Sequence, residues 1–337
     1  MLMKWWTAET TERMKIVIPG GTGQVGSLLA RAFIYDGHEV VVLSRKPTSE
    51  TKWRVVVWDA KTLSDWAREL DGADVIINLA GRSVNCRYTP ENRREIMQSR
   101  TLSTKVVGQA IAEAKTSPAV WLQASTATIY AHRYDAPNDE ATGIIGGSEP
   151  DAPDSWKFSI EVAQAWERTL AESHTPNTRK VALRSTLVMN PDTGSIFDVL
   201  LGLVRRGLGG RSGNGKQYVS WMHDRDFVRA IYFLMEREDI AGAVNLAAPN
   251  PLPNAEFMHD IRQAAGVKVG LPAMEWMLEI GAVFLKTETE LLLKSRRVVP
   301  GRLLEAGFVF EFPTWQEAAR DLCQRSGAQT TEGISSK

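Results

Sequence analysis

Three groups of residues in this chain have types and spacings that could do chemistry. The first is Gly20-Gly21-Thr22-Gly23-Gln24-Val25-Gly26, a G-x-x-G-x-x-G run. Gly20 would permit a tight turn, Gly23 would let the backbone approach a pyrophosphate, and Gly26 would let a following helix pack closely on a strand. Together with Thr22, Gln24 and Val25 they would turn backbone N–H groups at a helix start toward the phosphates. A purely structural turn is the alternative. The second group is Ser44-Arg45-Lys46. A site for NAD usually carries Asp or Glu at the end of the second strand, to hold the ribose 2′-OH. A hydroxyl and two cations suit a 2′-phosphate instead. One charge-assisted hydrogen bond contributes about 1.5–3 kcal/mol, roughly ten- to hundredfold in affinity, so these residues predict NADP rather than NAD. A solvated basic loop is the alternative. The third group is Ser125, Thr126 and Tyr130. An acid arrangement of Ser125 with Tyr130, helped by Lys157, is open, and so is positioning of cofactor and substrate without proton transfer.

The elements that must position these groups can be read from hydrophobic periodicity. Lys15–Pro19 is a short apolar run ending in glycines, a strand. Gln24–Asp36 carries Val25, Leu28, Leu29, Ala32 and Phe33 at helical spacing. Glu39–Leu43, Trp53–Trp58, Ala73–Leu79, Ala119–Ala124 and Lys180–Met189 read as further strands. Leu63–Leu70, Arg93–Ala114 (interrupted near Ser99) and Trp156–Ser173 read as helices. Strands alternating with helices predict an α/β fold, a Rossmann-type doubly wound parallel sheet. The pattern changes after Asn190. Trp221–Glu236 reads as a helix, Gly242–Leu246 as a short strand, and 250–325 as mostly helical with prolines as punctuation. The expected division is an NADP-binding domain over 14–190, to which 226–249 returns. A smaller, mostly helical substrate lobe would be built from 191–225 and 250–325, with flexible termini at 1–13 and 326–337.

Composition narrows the class of protein. The 40 basic and 40 acidic residues cancel, which gives no reason to expect nucleic acid or an anionic membrane as partner. Cys86 and Cys323 stand far apart and outside any Cys/His cluster, so no metal site and no disulfide framework are expected, and a reducing, cytoplasmic setting fits. The most apolar stretch, Met274–Leu285, is broken by Glu275 and Glu279 and reads as a soluble helix rather than a membrane span. A small-molecule substrate is the expected partner. Oligomeric state stays open.

The motifs also carry a family resemblance. The glycine loop, Asn78-Leu79-Ala80-Gly81 closing the fourth strand, and Ser125 after the fifth resemble an atypical, extended short-chain dehydrogenase/reductase. Gln98-Ser99-Arg100, Gly207-Leu208-Gly209-Gly210, Ser220-Trp221-Met222-His223, Asn254-Ala255-Glu256-Phe257 and Arg297-Val298-Val299-Pro300 recur as a set. They are similar to the epimerase-like subfamily often labelled NAD-dependent epimerase/dehydratase-like or cell division inhibitor protein, over roughly residues 14–325. The resemblance implies that Asp59 meets the adenine amine and that Leu79 and Ala80 line the adenosine side of the cleft. It places Glu95, Arg100 and Arg184 near the cofactor. It gives His223 and Asp226 mainly a role in holding loop and helix together.

One part of the superfamily's machinery is missing. The usual mechanism uses Tyr-x-x-x-Lys on one helix face, the ammonium favouring the tyrosinate so that the phenol can relay a proton. None of the six tyrosines has lysine four residues on. Phe158 and Val162 stand where tyrosine and lysine are expected. The loop Arg82–Thr89 is expected to face substrate, with Cys86 a packed rather than a reactive thiol. The chain therefore reads as an NADP(H)-binding epimerase- or oxidoreductase-like protein with a rearranged active site. Its alternative is a protein that senses NADP(H) without chemistry.

Overall fold

Strand β1, Lys15–Pro19, is apolar on both faces, and Ile16, Val17 and Ile18 are fully buried. A strand covered on both sides belongs in the middle of a parallel sheet. In the computed structural model it lies between β2 (Glu39–Ser44) and β4 (Val75–Asn78), parallel to both. With β3 (Arg54–Val57), β5 (Val120–Thr126), β6 (Arg179–Ser185) and β10 (Gly242–Leu246), they form a seven-stranded sheet in the order β10-β6-β5-β4-β1-β2-β3. The structure describes residues 12–48, 51–150, 152–273 and 294–335, with side chains to residue 327. Residues 1–11 of the expected terminal segment 1–13 and the expected helix Met274–Leu285 lie outside the described residues. Among the described residues, no helix is long and apolar enough to cross a membrane.

Alternate residues of each strand go to opposite faces. Ile16, Ile18, Val40 and Val42 join helix α1 (Gln24–Tyr35) and helix α5 (Asp224–Glu236) in one core layer. Val17, Val41, Leu43 and Trp121 join α2 (Pro90–Glu113) and α3 (Asp154–Glu172) in the other. The chain runs β1-β2-β3 toward one edge and then returns to place β4 on the other side of β1. The strand order therefore reverses between β1 and β4, and ligands of such sheets bind outside the carboxyl ends of the strands there.

A third core joins Met189, Trp221, Phe257 and Ile261 to Phe197 and Leu201 of α4 (Ile196–Arg205) and Trp315 and Leu322 of the last helix. That core brings 197–204, 221, 248–261 and 315–322 together beside the sheet. Two small sheets lie here: β7 (Leu187–Met189) pairs with β9 (Trp221–His223), and β8 (Tyr218–Val219) with β11 (Leu252–Pro253). Helix α6 spans Asn254–Ala264, α7 Gly301–Glu305 and α8 Trp315–Ser335.

Several element readings change. The expected strand Lys180–Met189 is two strands: after Ser185 the chain leaves the main sheet, Thr186 bonds Leu246 O through N–H and hydroxyl alike, and β7 finds another partner. The expected helix Trp221–Glu236 begins as strand β9, and His223 then caps α5 by accepting from Arg225 N. A three-residue apolar strand cannot be told from a helix start by periodicity. Leu63–Leu70 forms a 3₁₀ helix over Asp65–Glu69 only. The expected interruption at Ser99 is absent, because its hydroxyl bonds Ile96 O and accepts from Arg82 N while α2 runs on. Thr89 caps α2 and Pro90 opens it. Helix α8 continues through Ser335, into the stretch expected to be frayed.

Candidate functional site

Two adjoining features occupy the carboxyl ends of the central strands: a glycine-built crevice at β1/β4 and a cavity at β4–β6.

The crevice is shaped by close backbone approach. Gly20 has φ +77° and donates its N–H to Leu43 O at 2.8 Å. A Cβ there would stand 2.6 Å from Ala80 Cα, and a Cβ on Gly26 would stand 2.5 Å from Gly21 Cα. A Cβ on Gly23 would meet nothing within 4 Å. Gly20 and Gly26 thus draw the loop tight against β4 and against itself, while Gly23 leaves open space at the helix start. Helix α1 has no side-chain cap at Gly23, so its first N–H groups face that space without an acceptor. Thr22 and Gln24 are exposed beside it, and Val25 packs on the sheet core. These are features a pyrophosphate requires, so the residues fit the group that the sequence implies.

At the end of β2, Ser44 is buried and its hydroxyl accepts from Lys46 N at 3.2 Å. Arg45 and Lys46 are exposed, and among the described residues neither pairs with a carboxylate. Asp59, expected at the adenine, accepts from Lys61 N and Thr62 N at 2.9 Å each and from the Thr62 hydroxyl at 2.5 Å, closing the turn that holds Ala60 at positive φ. Desolvation works against its charge, yet the bonds from Thr62 and Lys61 keep its pKa below the ordinary carboxylate value. Asn78, fully buried, accepts from Ala80 N and donates to Gln123 Oε1, and Leu79 N donates to Pro19 O. Asn78 and Leu79 therefore hold the shape of the β4 end. Gly81 abuts the guanidinium of Arg100. Glu95 pairs with Arg82 on the surface.

The cavity, about 180 Å³, opens next to the crevice. Thr126, Ala127 and Thr128 contribute from the end of β5, Ser185–Leu187 from the exit of β6, and Val84 and Tyr88 from the loop after β4. Helix α3 presents Phe158, Ser159, Val162 and Trp166, and α2 presents Ile96 and Arg100. Phe158 and Val162, at the positions expected for tyrosine and lysine, are apolar walls 6% and 5% exposed. Arg100 lies over the Trp166 ring at 5.0 Å and donates to Arg82 O and Ile96 O. Burial lowers its pKa to about 10, although the charge of Tyr88 counteracts this.

Ser125 and Tyr130 do not line the cavity. The Ser125 hydroxyl donates to Glu167 Oε1 at 2.6 Å, Glu167 takes a bidentate pair from Arg184 at 2.8 Å, and Arg184 also donates to Tyr130 Oη at 2.8 Å. Tyr130 Oη in turn donates to Asn245 Oδ1 at 3.0 Å. Burial raises the Tyr130 pKa despite Arg184. Burial opposes the charge on Arg184, but Glu167 outweighs it and raises that pKa. Ser125, Tyr130 and Arg184 are therefore brought together, but as one satisfied network that clamps α3 to β5, β6 and β10. The reason lies in strand alternation: Ser125 and Arg184 are register partners on the α3 face of the sheet. Ser125 is inside β5 rather than after it.

Sequence reading missed Glu167, which nothing distinguishes from a surface helix charge until the strand order is known, and Asn245 on the edge strand. It reached Tyr88 only as part of a loop. His223 and Asp226 do hold elements together: Asp226 accepts from Glu311 N and Phe312 N, and His223 Nε2 lies 3.0 Å from Asp321 Oδ2. Cys86 packs beside Ile96 and Phe158. Among the described residues, no group of three His, Cys, Asp or Glu could hold a metal ion.

Comparison with known proteins agrees with this geometry. Residues 16–247 match the family described as NAD dependent epimerase/dehydratase, and residues 275–322 a domain of unknown function. Epimerase family protein SDR39U1 of Bos taurus is 30% identical over 313 residues, 92% of this chain and 99% of that protein. Epimerase family protein SSP1921 of Staphylococcus saprophyticus is 28% identical over 316 residues, 91% and 98% of the two chains. The crystal structure of human SDR39U1 (isoform2) with NADPH superposes with a TM-score of 0.80 at 28% identity, covering 92% of this chain and 99% of that one. UDP-N-acetylglucosamine 4-epimerase from Bacillus cereus, at 18% identity and a TM-score of 0.72, shares the fold. The resemblance to an atypical, epimerase-like short-chain dehydrogenase/reductase and the Rossmann-type fold class are both met.

Proposed function

We propose that this chain, which belongs to the NAD dependent epimerase/dehydratase family, binds NADP(H) in the β1/β4 crevice and acts on a small molecule in the adjoining cavity. The observation that carries the reading is the crevice itself. Gly20 is closed on Ala80, space stands open at Gly23 before a helix start with no side-chain cap, and two exposed cations lie at the end of the next strand. The pyrophosphate would be held by the Gly20–Gly26 backbone and the 2′-phosphate by Ser44, Arg45 and Lys46. Leu79, Ala80 and Gly81 would form the facing wall, with Asp59 near the adenine and Arg100 and Glu95 on the α2 side. Similarity to a protein solved with NADPH supports the same cofactor. When bound, such a cofactor supplies or accepts a hydride at its nicotinamide. The protein's part is to hold the substrate against that ring, exclude water and move the accompanying proton.

Titration of wild type and Arg45→Ala with NADPH and NADH tests the reading. NADPH is expected to bind more tightly than NADH, and Arg45→Ala to weaken NADPH about ten- to hundredfold while leaving NADH unchanged. Equal affinity for both, with no effect of the substitution, would refute it.

One observation favours a second reading, an NADP(H)-sensing protein without chemistry. Phe158 and Val162 offer no proton, and the hydroxyls of Ser125 and Tyr130 are committed to Glu167 and Asn245. Under that reading NADPH binds but is not oxidised in the presence of sugar nucleotides, quinones or small carbonyls. A cytoplasmic location remains part of the proposal. The relative from Arabidopsis thaliana is described as chloroplastic.

A further inference from the structure

We infer that Tyr88, from the loop after β4, is the proton-transfer residue of the cavity, taking over in space the task that α3 has lost. The inference rests on the NADP(H) reading of the site.

Elimination within the cavity comes first. Of the described residues that line it, those with an ionisable side chain are Tyr88, Arg100 and Arg296; the rest are apolar or carry a simple hydroxyl. An arginine, Arg100 included, stays protonated through the neutral range, and a guanidinium has no acceptor site with which to take a proton. A serine or threonine hydroxyl needs a base beside it, and among the described residues that line the cavity there is no carboxylate, histidine or lysine. The phenol of Tyr88 is the group left that can give a proton and take one back.

Placement comes second. Tyr88 meets the Phe158 ring edge-on, with centroids 5.1 Å apart, so its ring stands against the residue that replaces the expected tyrosine. Its hydroxyl lies 3.3 Å from Ser159 Oγ, one residue along α3. Position is held from the other side by α2, where Arg93 donates to Tyr88 O and lies over Phe158. A loop residue has thus been brought to the point that a helix residue would otherwise occupy.

A cation comes third. Tyr-x-x-x-Lys works because the ammonium favours the phenolate. Here Arg100 shares the cavity with Tyr88, no carboxylate of a described residue pairs with Arg100, and its charge is coupled to that of Tyr88. Coupling is mutual, so a guanidinium whose proton is favoured by a phenolate favours that phenolate equally. Among the described residues, Arg93, which pairs with Asp154, and Arg296 across the cavity add further positive charge near Tyr88.

The step balances. When a substrate carbonyl carbon receives a hydride from the reduced nicotinamide, the C=O π pair moves to oxygen and closes on the Tyr88 Oη proton. The phenol O–H bond breaks, the phenolate is favoured by the charge of Arg100 and hydrogen-bonded by Ser159, and water returns a proton to it. In the oxidative direction the phenolate takes the hydroxyl proton instead.

Two readouts test this, one independent of turnover. In ultraviolet difference titration, Tyr88 is expected to be the first of the six phenols to ionise as pH rises. Tyr88→Phe would remove that step, and Arg100→Met or Ser159→Ala would move it to higher pH. With phenanthrenequinone as the carbonyl probe, Tyr88→Phe is expected to slow NADPH oxidation about 10²–10⁴-fold with NADPH affinity unchanged. An earliest ionisation that survives in Tyr88→Phe, or probe reduction within threefold of wild type (roughly 0.7 kcal/mol), overturns the inference even where NADPH binds. Failure of the wild type to bind NADPH overturns the reading beneath it. Ser159→Ala keeps the titration decisive if Tyr88→Phe folds poorly.

Discussion

A buried arginine on a β-strand must find a carboxylate, and Arg184 finds Glu167 across the α3–sheet interface with both side chains less than a fifth exposed. The same carboxylate accepts a hydrogen bond from the Ser125 hydroxyl, and the same guanidinium reaches Tyr130. Removing one partner of the ion pair leaves the other charged and unpaired, which costs about 3–5 kcal/mol in such settings. Glu167→Gln is expected to lower unfolding free energy by that order in urea titration, and Ser125→Ala by only about 1 kcal/mol. The structure joins Ser125, Tyr130 and Arg184 in one network outside the cavity lining, whereas sequence reading named Ser125 and Tyr130 as a candidate acid pair and placed Arg184 near the cofactor. It could not see that they would satisfy one another, because their partner Glu167 lies 42 residues from Ser125 and becomes adjacent only through the parallel β5–β6 crossover.

Two elements illustrate how local geometry is enforced. Gly20 is confined by positive φ and by the backbone of β4, so Gly20→Ala places a Cβ into Ala80. The strain of the left-handed conformation alone is about 1–3 kcal/mol; the substitution is expected to lower the melting temperature and abolish NADPH binding, read by thermal shift with and without NADPH. Helix α8 is clamped to the β9–α5 junction by Asp321 and Arg325, which meet His223 and Asp224. Desolvation opposes the Asp321 charge, but His223 and Arg325 outweigh it and hold its pKa at about 2 against an ordinary 3.8. A carboxylate with a depressed folded-state pKa stabilises the fold above its unfolded value and loses that contribution as pH falls through the folded one. The clamp is therefore expected to weaken between about pH 4 and pH 2. Asp321→Asn should flatten the stability slope in that window, measured by urea unfolding at stepped pH.

At the scale of the whole molecule, the parallel sheet was legible because its strands are buried on both faces and read as unbroken apolar runs such as EVVVL and ADVIINL. The crevice was legible for the same reason that it works, since glycines at three fixed places have few other uses between a strand and a helix. Less legible were β7 and β9, whose three-residue runs pair with each other outside the main sheet, and the cavity, whose described walls come from six separate stretches of chain. Tyr88 belongs to the second kind: no spacing in the sequence links it to Phe158 or Arg100, and only the packing of α2 against α3 joins them. The central claim is that crevice and cavity form one site, filled by one cofactor and its substrate. A crystal structure of the chain grown with NADPH tests this most directly. The expected result is pyrophosphate on the Gly20–Gly26 loop, 2′-phosphate at Arg45 and Lys46, and the nicotinamide at the cavity beside Tyr88 and Thr126. A cofactor bound elsewhere, or one whose nicotinamide lies outside that cavity, would contradict the account.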